Sequence, residues 1–212
     1  PGRAGGMYNL RIQCYEATKD FAGRIAFVRQ TMEPRIRAGS LWALSELARY
    51  ETSAMGRDYH ALTDYWLEKA QTYADLDLGA ASGGADTQPA EDGAAERPGN
   101  VNNRVQLSCL QRAWSACYWS PNHHRHMEMI QWDKAAEITG RLRAQTIDKS
   151  LAWALAWADV NLQAHKDDAD AALAAATAHL DALDKDARLR ELSLRVDFAA
   201  LGGAFGQRGR IK

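Results

Sequence analysis

Apolar residues recur at i, i+3, i+4 and i+7 along most of this chain, and no stretch sustains a period of two with β-branched residues. That periodicity puts one apolar stripe on each of a series of helices and leaves no pattern for a sheet. Three times an apolar helix pattern runs into a short polar turn: Ala54-Met55-Gly56-Arg57-Asp58-Tyr59, Gln163-Ala164-His165-Lys166-Asp167-Asp168, and Phe205-Gly206-Gln207-Arg208-Gly209-Arg210. A helix pair that buries one face against itself still leaves apolar positions that need neighbours. The expected fold class is therefore all-α, with stacked antiparallel helical hairpins first and a closed multi-helix bundle second.

The helices follow from stripes and punctuation. A helix over 15–33 carries Phe21, Ile25, Ala26 and Val28, and Pro34 stops it. The next, over 40–55, opens at a Ser40 N-cap and ends at Gly56. A third spans 58–76 with Tyr59, Leu62, Trp66, Leu67, Ala70 and Tyr73. A fourth, over 102–119, is apolar around much of its circumference. Ser120-Pro121 reads as an N-cap with proline at the first helical position, opening a helix to 139 that Gly140 interrupts. Helices over 143–165, 168–183 and 187–205 complete the pattern, the second of them rich in alanine.

The sharpest break in composition is 79–100, which is glycine- and alanine-rich, holds two prolines, and has no aromatic or large aliphatic residue. Such a segment buries too little surface to offset its ordering entropy, so it reads as a flexible linker. The expected organisation is a leader or remnant at 1–6, helical hairpins over 7–78, the linker, and helical hairpins over 101–212. The preferred reading of this organisation is one continuous helical domain with the linker as an insertion. Both ends of the sequence read as cut edges.

Helices alternating with short Gly/Asp/Arg turns make the chain resemble the tetratricopeptide repeat and related helical-hairpin solenoids. Two stretches carry the resemblance. In 41–70 the Gly56-Arg57-Asp58-Tyr59 turn leads into Tyr65-Trp66-Leu67-Glu68-Lys69-Ala70, and 151–183 forms the other. The spacing is irregular against a repeat of about 34 residues. Thr63 and Ala54 stand where the repeat usually has alanine and tyrosine. The resemblance implies a peptide- or protein-binding scaffold, including the regulatory domains of larger signalling proteins.

Charge narrows the partners. With 26 basic against 27 acidic side chains the net charge is −1, without the basic excess of a dedicated nucleic-acid binder. The charges of 185–195 alternate in sign and read as a solvated face. No apolar run reaches the ~20 residues of a membrane span. Cys14, Cys109 and Cys117 cannot all pair within one chain, so the expected setting is soluble and intracellular, cytoplasmic by default.

Chemistry-bearing clusters are few. His123 and His126 are i, i+3 beside Glu128 and form a weak metal candidate, short of the three or four converging ligands a site needs. No Glu-x-x-His pair, Gly-x-Ser-x-Gly elbow or P-loop occurs. No catalytic residue and no cofactor is expected. The seven tryptophans are more informative, since tryptophan is enriched at interface hot spots. Trp42, Trp66, Trp114, Trp153 and Trp157 are the candidate partner-binding residues, while Trp119 and Trp132 flank the Ser120-Pro121 turn. The leading expectation is a non-enzymatic interaction or scaffold module that receives a partner peptide or helix on an aromatic-rich face. A structural subunit of a larger assembly or homo-oligomer is the alternative. A metal-dependent enzyme using the histidine turn is the third reading.

Overall fold

The computed structural model describes residues 3–76, 103–124, 126–145, 149–166 and 169–185. Among them the protein is all-α, with no strand. The chain divides into two compact units, Pro1–Met129 and Ile130–Lys212. This division differs from a partition into 7–78 and 101–212. Helices on both sides of 79–100 pack on one another within the first unit. The 79–100 segment, the expected helix over 187–205 and the turn at 205–210 lie outside the described residues.

In the first unit, α1 (Arg3–Ala17), α2 (Phe21–Arg37) and α3 (Leu41–Glu51) follow one another through three-residue connections. Both connections use the same device. At the end of α2, Gly39 N–H donates to the Ile36 carbonyl and Ser40 N–H to the Arg35 carbonyl, with Gly39 at φ 92°. This pair of bonds is a Schellman motif. Ser40 then caps α3 by accepting from the Ala43 N–H. At the end of α1, Lys19 N–H donates to Glu16 and Asp20 N–H to Tyr15. Asp20 caps α2 through the Gly23 N–H at 2.8 Å. Lys19 sits at φ 57° where a glycine would be unstrained.

These turns correct the expected helix over 15–33. The chain breaks at 18–20, and residues 7–14, which carried no helix expectation, lie in α1. Pro34 does not stop α2, which runs on to Arg37. A proline loses only its own N–H, and the Pro34 carbonyl still accepts from Ala38. Fully buried Ile36 holds that last turn on the core.

Asp58 caps α4 (Tyr59–Thr72) through the Ala61 N–H. Asn103 then clips α4 to α5 (Arg104–Trp114). Its side-chain oxygen caps α5 at the Gln106 N–H, and its amide donates to the Tyr73 and Ala74 carbonyls at the end of α4. Arg112 lies over the Trp66 ring at 4.8 Å, so the two helices run antiparallel. After α5 the helix continues through a π-helical turn, Ser115–Trp119, into α6 (Ser120–His123). Ser120 is thus inside a continuous helix and is not an N-cap. The Ser120 N–H donates to the Ser115 carbonyl, and buried Pro121 enters the chain where that wider turn has displaced the ladder.

One buried carboxylate joins three helices of this unit. Glu51, at the end of α3, has a side chain only 6% exposed. It accepts from Arg29 Nε of α2 at 2.9 Å, from Tyr65 Oη of α4 at 2.7 Å and from Lys69 Nζ of α4 at 2.9 Å. Burial alone would raise its pKa. The hydrogen bonds from Lys69, Tyr65 and Arg29 outweigh it and hold the carboxyl below its ordinary value. A second link runs from Tyr73 Oη, at the C-cap of α4, to Glu33 of α2 at 2.8 Å.

In the second unit, α7 (Trp132–Arg143), α8 (Lys149–His165) and α9 (Ala169–Lys185) pack in sequence. Gly140 does not interrupt α7. Trp157 and Val160 of α8 bury against Ala176 of α9, where alanine permits close approach. Arg143 pairs with Asp159, yet burial still holds the Asp159 carboxyl above its usual range. Among the described residues, no helix is long and apolar enough to cross a membrane.

The strained α1–α2 turn gives a direct test. Replacing Lys19 with glycine removes the cost of a left-handed side-chain-bearing residue, about 1 kcal/mol. The expected outcome of urea unfolding is a variant more stable than the native chain by about 0.5–1 kcal/mol. A loss of stability would show that the turn is not in the conformation described.

Candidate functional site

The Schellman turns bring α1, α2 and the start of α3 side by side, and a cleft of about 430 Å³ opens between them. Its α2 wall is Phe27, Thr31 and Arg35, spaced i, i+4, i+8 on one face, with buried Met32 as the floor. The α1 wall is Met7, Tyr8 and Arg11, and Trp42 closes the cleft from the first turn of α3. Met7 is 76% exposed and Trp42 52% exposed. Two large apolar side chains therefore stand in water at opposite edges of an apolar floor.

The interior of the cleft is held in place by ring stacking and one hydrogen bond. Phe27 stacks on Tyr8 with centroids 5.6 Å apart and touches Tyr15 at 5.9 Å. The Tyr8 hydroxyl donates to Glu46 of α3 at 3.2 Å. Burial and the neighbouring Glu46 charge push the Tyr8 pKa upward, so it remains a neutral donor. The Arg11 guanidinium lies over Phe27 at 4.5 Å, and that of Arg35 lies 5.9 Å from the Trp42 ring centroid.

These two arginines differ from those around them. On α2 and α3, Arg24 pairs with Glu16, Arg29 with Glu51, Arg37 with Glu33 and Arg49 with Glu46. Among the described residues, Arg11 and Arg35 make ring contacts and no ion pair, and no carboxylate lines the cleft. The chemistry on offer is an open apolar and aromatic trough flanked by two cations.

The tryptophans singled out from sequence separate by burial. Trp42 lines the cleft. Trp66 is buried between Arg112 and an edge-on Tyr65. Trp114 is buried beside Tyr118 and Trp119. Trp157 is core in the second unit. The expectation that Trp66, Trp114 and Trp157 present a docking face is therefore corrected: their rings are packing surface inside the units. Trp153 lies on α8, with a side chain outside the described residues. Trp132 stacks on His165 at 4.1 Å.

His123 and His124 are exposed and His126 is half-buried. His123 meets His124 edge-on at 5.3 Å, while His126 Nδ1 faces Glu128 at 3.7 Å. Among the described residues, no group of three or more His, Cys, Asp or Glu side chains is placed to hold a metal ion. Cys109 is buried, and that burial pushes its thiol up to about 12 against the opposing Arg112 and Lys69 charges. At neutral pH it stays a thiol, the unreactive form.

Sequence reasoning found Trp42 and missed the rest of the cleft. Met7, Tyr8 and Arg11 fall where no helix was expected. The available signal was the i, i+4 spacing of Met7 with Arg11 and of Phe27, Thr31 and Arg35. Comparison with protein-family models, curated proteins and solved structures yields no match for this chain.

Exposure at Trp42 is open to measurement by iodide quenching. Replacing Trp42 with phenylalanine removes a larger share of the quenchable tryptophan emission than the same change at Trp66, Trp114 or Trp157. Equal losses at all four positions would contradict the placement of Trp42 at the surface.

Proposed function

We propose that this protein is a non-enzymatic helical interaction module that receives a partner peptide in the cleft between α1, α2 and α3. The observation that carries the reading is the exposure of Met7 and Trp42 beside the Phe27 wall and the buried Met32 floor. Exposed aromatic and methionine side chains around a concave apolar surface are the usual composition of a peptide-binding groove. The helical hairpins support kinship in kind with tetratricopeptide-like scaffolds, whose grooves also lie between successive helices. Three free cysteines, two of them buried, support an intracellular setting.

The cleft walls favour a peptide over a small metabolite. Small-molecule sites of this volume bury about 70–90% or more of the ligand. Here both rims are open to solvent, which suits a chain that enters and leaves the trough.

Selection of random peptides displayed on phage against the full chain tests the reading. Enriched sequences should lose at least about tenfold in affinity, about 1.4 kcal/mol, in the Trp42→Ala and Met7→Ala variants. They should bind unchanged to a Cys14→Ser control. No enrichment, or enriched peptides indifferent to Trp42 and Met7, would overturn it.

A second reading has its own observation. Phe21, Met127, Met129 and Leu173, none of them among the residues lining the cleft, also expose much of their apolar surface. That suits a subunit covered by neighbours in a larger assembly, for which sedimentation at increasing concentration is the direct measurement.

A further inference from the structure

We infer that the occupant of the cleft is an acidic amphipathic peptide: an apolar side chain between Met7 and Trp42, flanked by aspartate or glutamate side chains that pair with Arg11 and Arg35. This inference rests on the interaction-module reading and adds the chemistry of the partner.

Charge carries it. The α1–α3 layer pairs its other described arginines with glutamates, so an arginine without one is the exception there. Both exceptions line the same cleft, and both lie near an aromatic ring at its edge. A guanidinium above a ring is held by the ring's quadrupole in a defined place while its N–H edge stays open to an acceptor. A carboxylate matches that fork with two parallel hydrogen bonds. Among the described residues, the lining hydroxyls are those of Thr31 and Tyr8. Thr31 already donates to the Phe27 carbonyl at 2.8 Å, and Tyr8 to Glu46. A basic peptide would set its cations against Arg11 and Arg35, with no acid among the described lining residues to offset them.

The placement also sets the order of the contacts. The apolar floor lies between Arg11 on α1 and Arg35 on α2, so the anchor residue stands between its acidic neighbours. Leucine, phenylalanine or methionine with glutamate on either side has that arrangement on one face of a short helix.

The test uses end-capped synthetic helical peptides whose single anchor is leucine, phenylalanine or methionine, each flanked by glutamates. Twins carry glutamine or lysine at every glutamate. Binding to the full chain is read by fluorescence anisotropy at low and high salt. For at least one anchor the glutamate peptide should bind about fivefold to tenfold tighter than its glutamine twin, and the lysine twin weakest. High salt should erase most of that preference. The double variant Arg11→Gln, Arg35→Gln should lose the preference and keep the glutamine-twin affinity, while Arg11→Lys, Arg35→Lys keeps the preference. Retained helical circular dichroism and glutamine-twin binding identify a folded variant.

Equal binding of glutamate and glutamine twins, both sensitive to Trp42→Ala, overturns the acidic partner and leaves the interaction module standing. No Trp42-sensitive binding by any peptide overturns both. A preference that survives the Gln double variant overturns the assignment to Arg11 and Arg35. A Trp42-dependent dimer in sedimentation gives the cleft to a second copy of this chain and overturns the inference.

Discussion

The Glu51 carboxylate receives donors from two other helices at once, and the layout of the first unit follows from that. Arg29 reaches it from α2, and Tyr65 and Lys69 from α4, while Glu51 itself ends α3. Taking a carboxylate out of water costs several kcal/mol, and only well-placed partners offset that cost. Three partners on three chain positions leave few arrangements of these helices that satisfy the charge. The group therefore fixes geometry more than it adds stability. With α2 and α3 set against α4, the α1–α2–α3 face that carries the cleft has a rigid support. Tyr73 on Glu33 repeats the link one layer along α2 and α4.

The turns complete the positioning. A Schellman motif whose last residue caps the following helix leaves no slack between helices. It occurs at Lys19-Asp20 and again at Gly39-Ser40. Arg104 of α5 donates to the Gly39 carbonyl at 2.8 Å, tying the second turn to a helix far along the sequence. Between these fixed points, Met7, Tyr8 and Trp42 come together from 35 positions apart in the chain. A concave surface made this way needs no flexible loop, and its shape is set before a partner arrives.

The helical class was legible because stripes at i, i+3, i+4 survive without tertiary information. So were the Ser40 and Asp58 starts, where a good capping residue precedes an apolar run. The α1–α2 turn was not, because lysine fills the position where glycine would announce it. Pro34 and Gly140 misled in the opposite sense: tertiary packing and neighbouring helix formers carried the helix through residues that end helices on average. The Asn103 clip was hidden because its acceptors lie 30 and 29 positions away on α4. The cleft was hidden for a similar reason. Its residues come from three helices, and sequence shows periodicity within a helix but not which arginine lacks a glutamate. Tryptophan count pointed toward interfaces, and burial reassigned Trp66, Trp114 and Trp157 to packing.

The account stands on Glu51 being ionised and shared in the folded state. Its folded pKa lies below its ordinary carboxylate value of 4.5. The stability it contributes is then present above that pH and lost as pH falls through the lower folded value. Urea unfolding of the native chain and of Glu51→Gln, followed from pH 7 down to acid, measures this directly. At pH 7 the variant is expected to be less stable by about 1–3 kcal/mol, since Lys69 and Arg29 lose their charged acceptor. The two curves should approach each other as pH falls below the unfolded carboxylate pKa and meet only below the lower folded value. A variant as stable as the native chain at pH 7, with a parallel fall in acid, would contradict the claim that this carboxylate holds the helices in place.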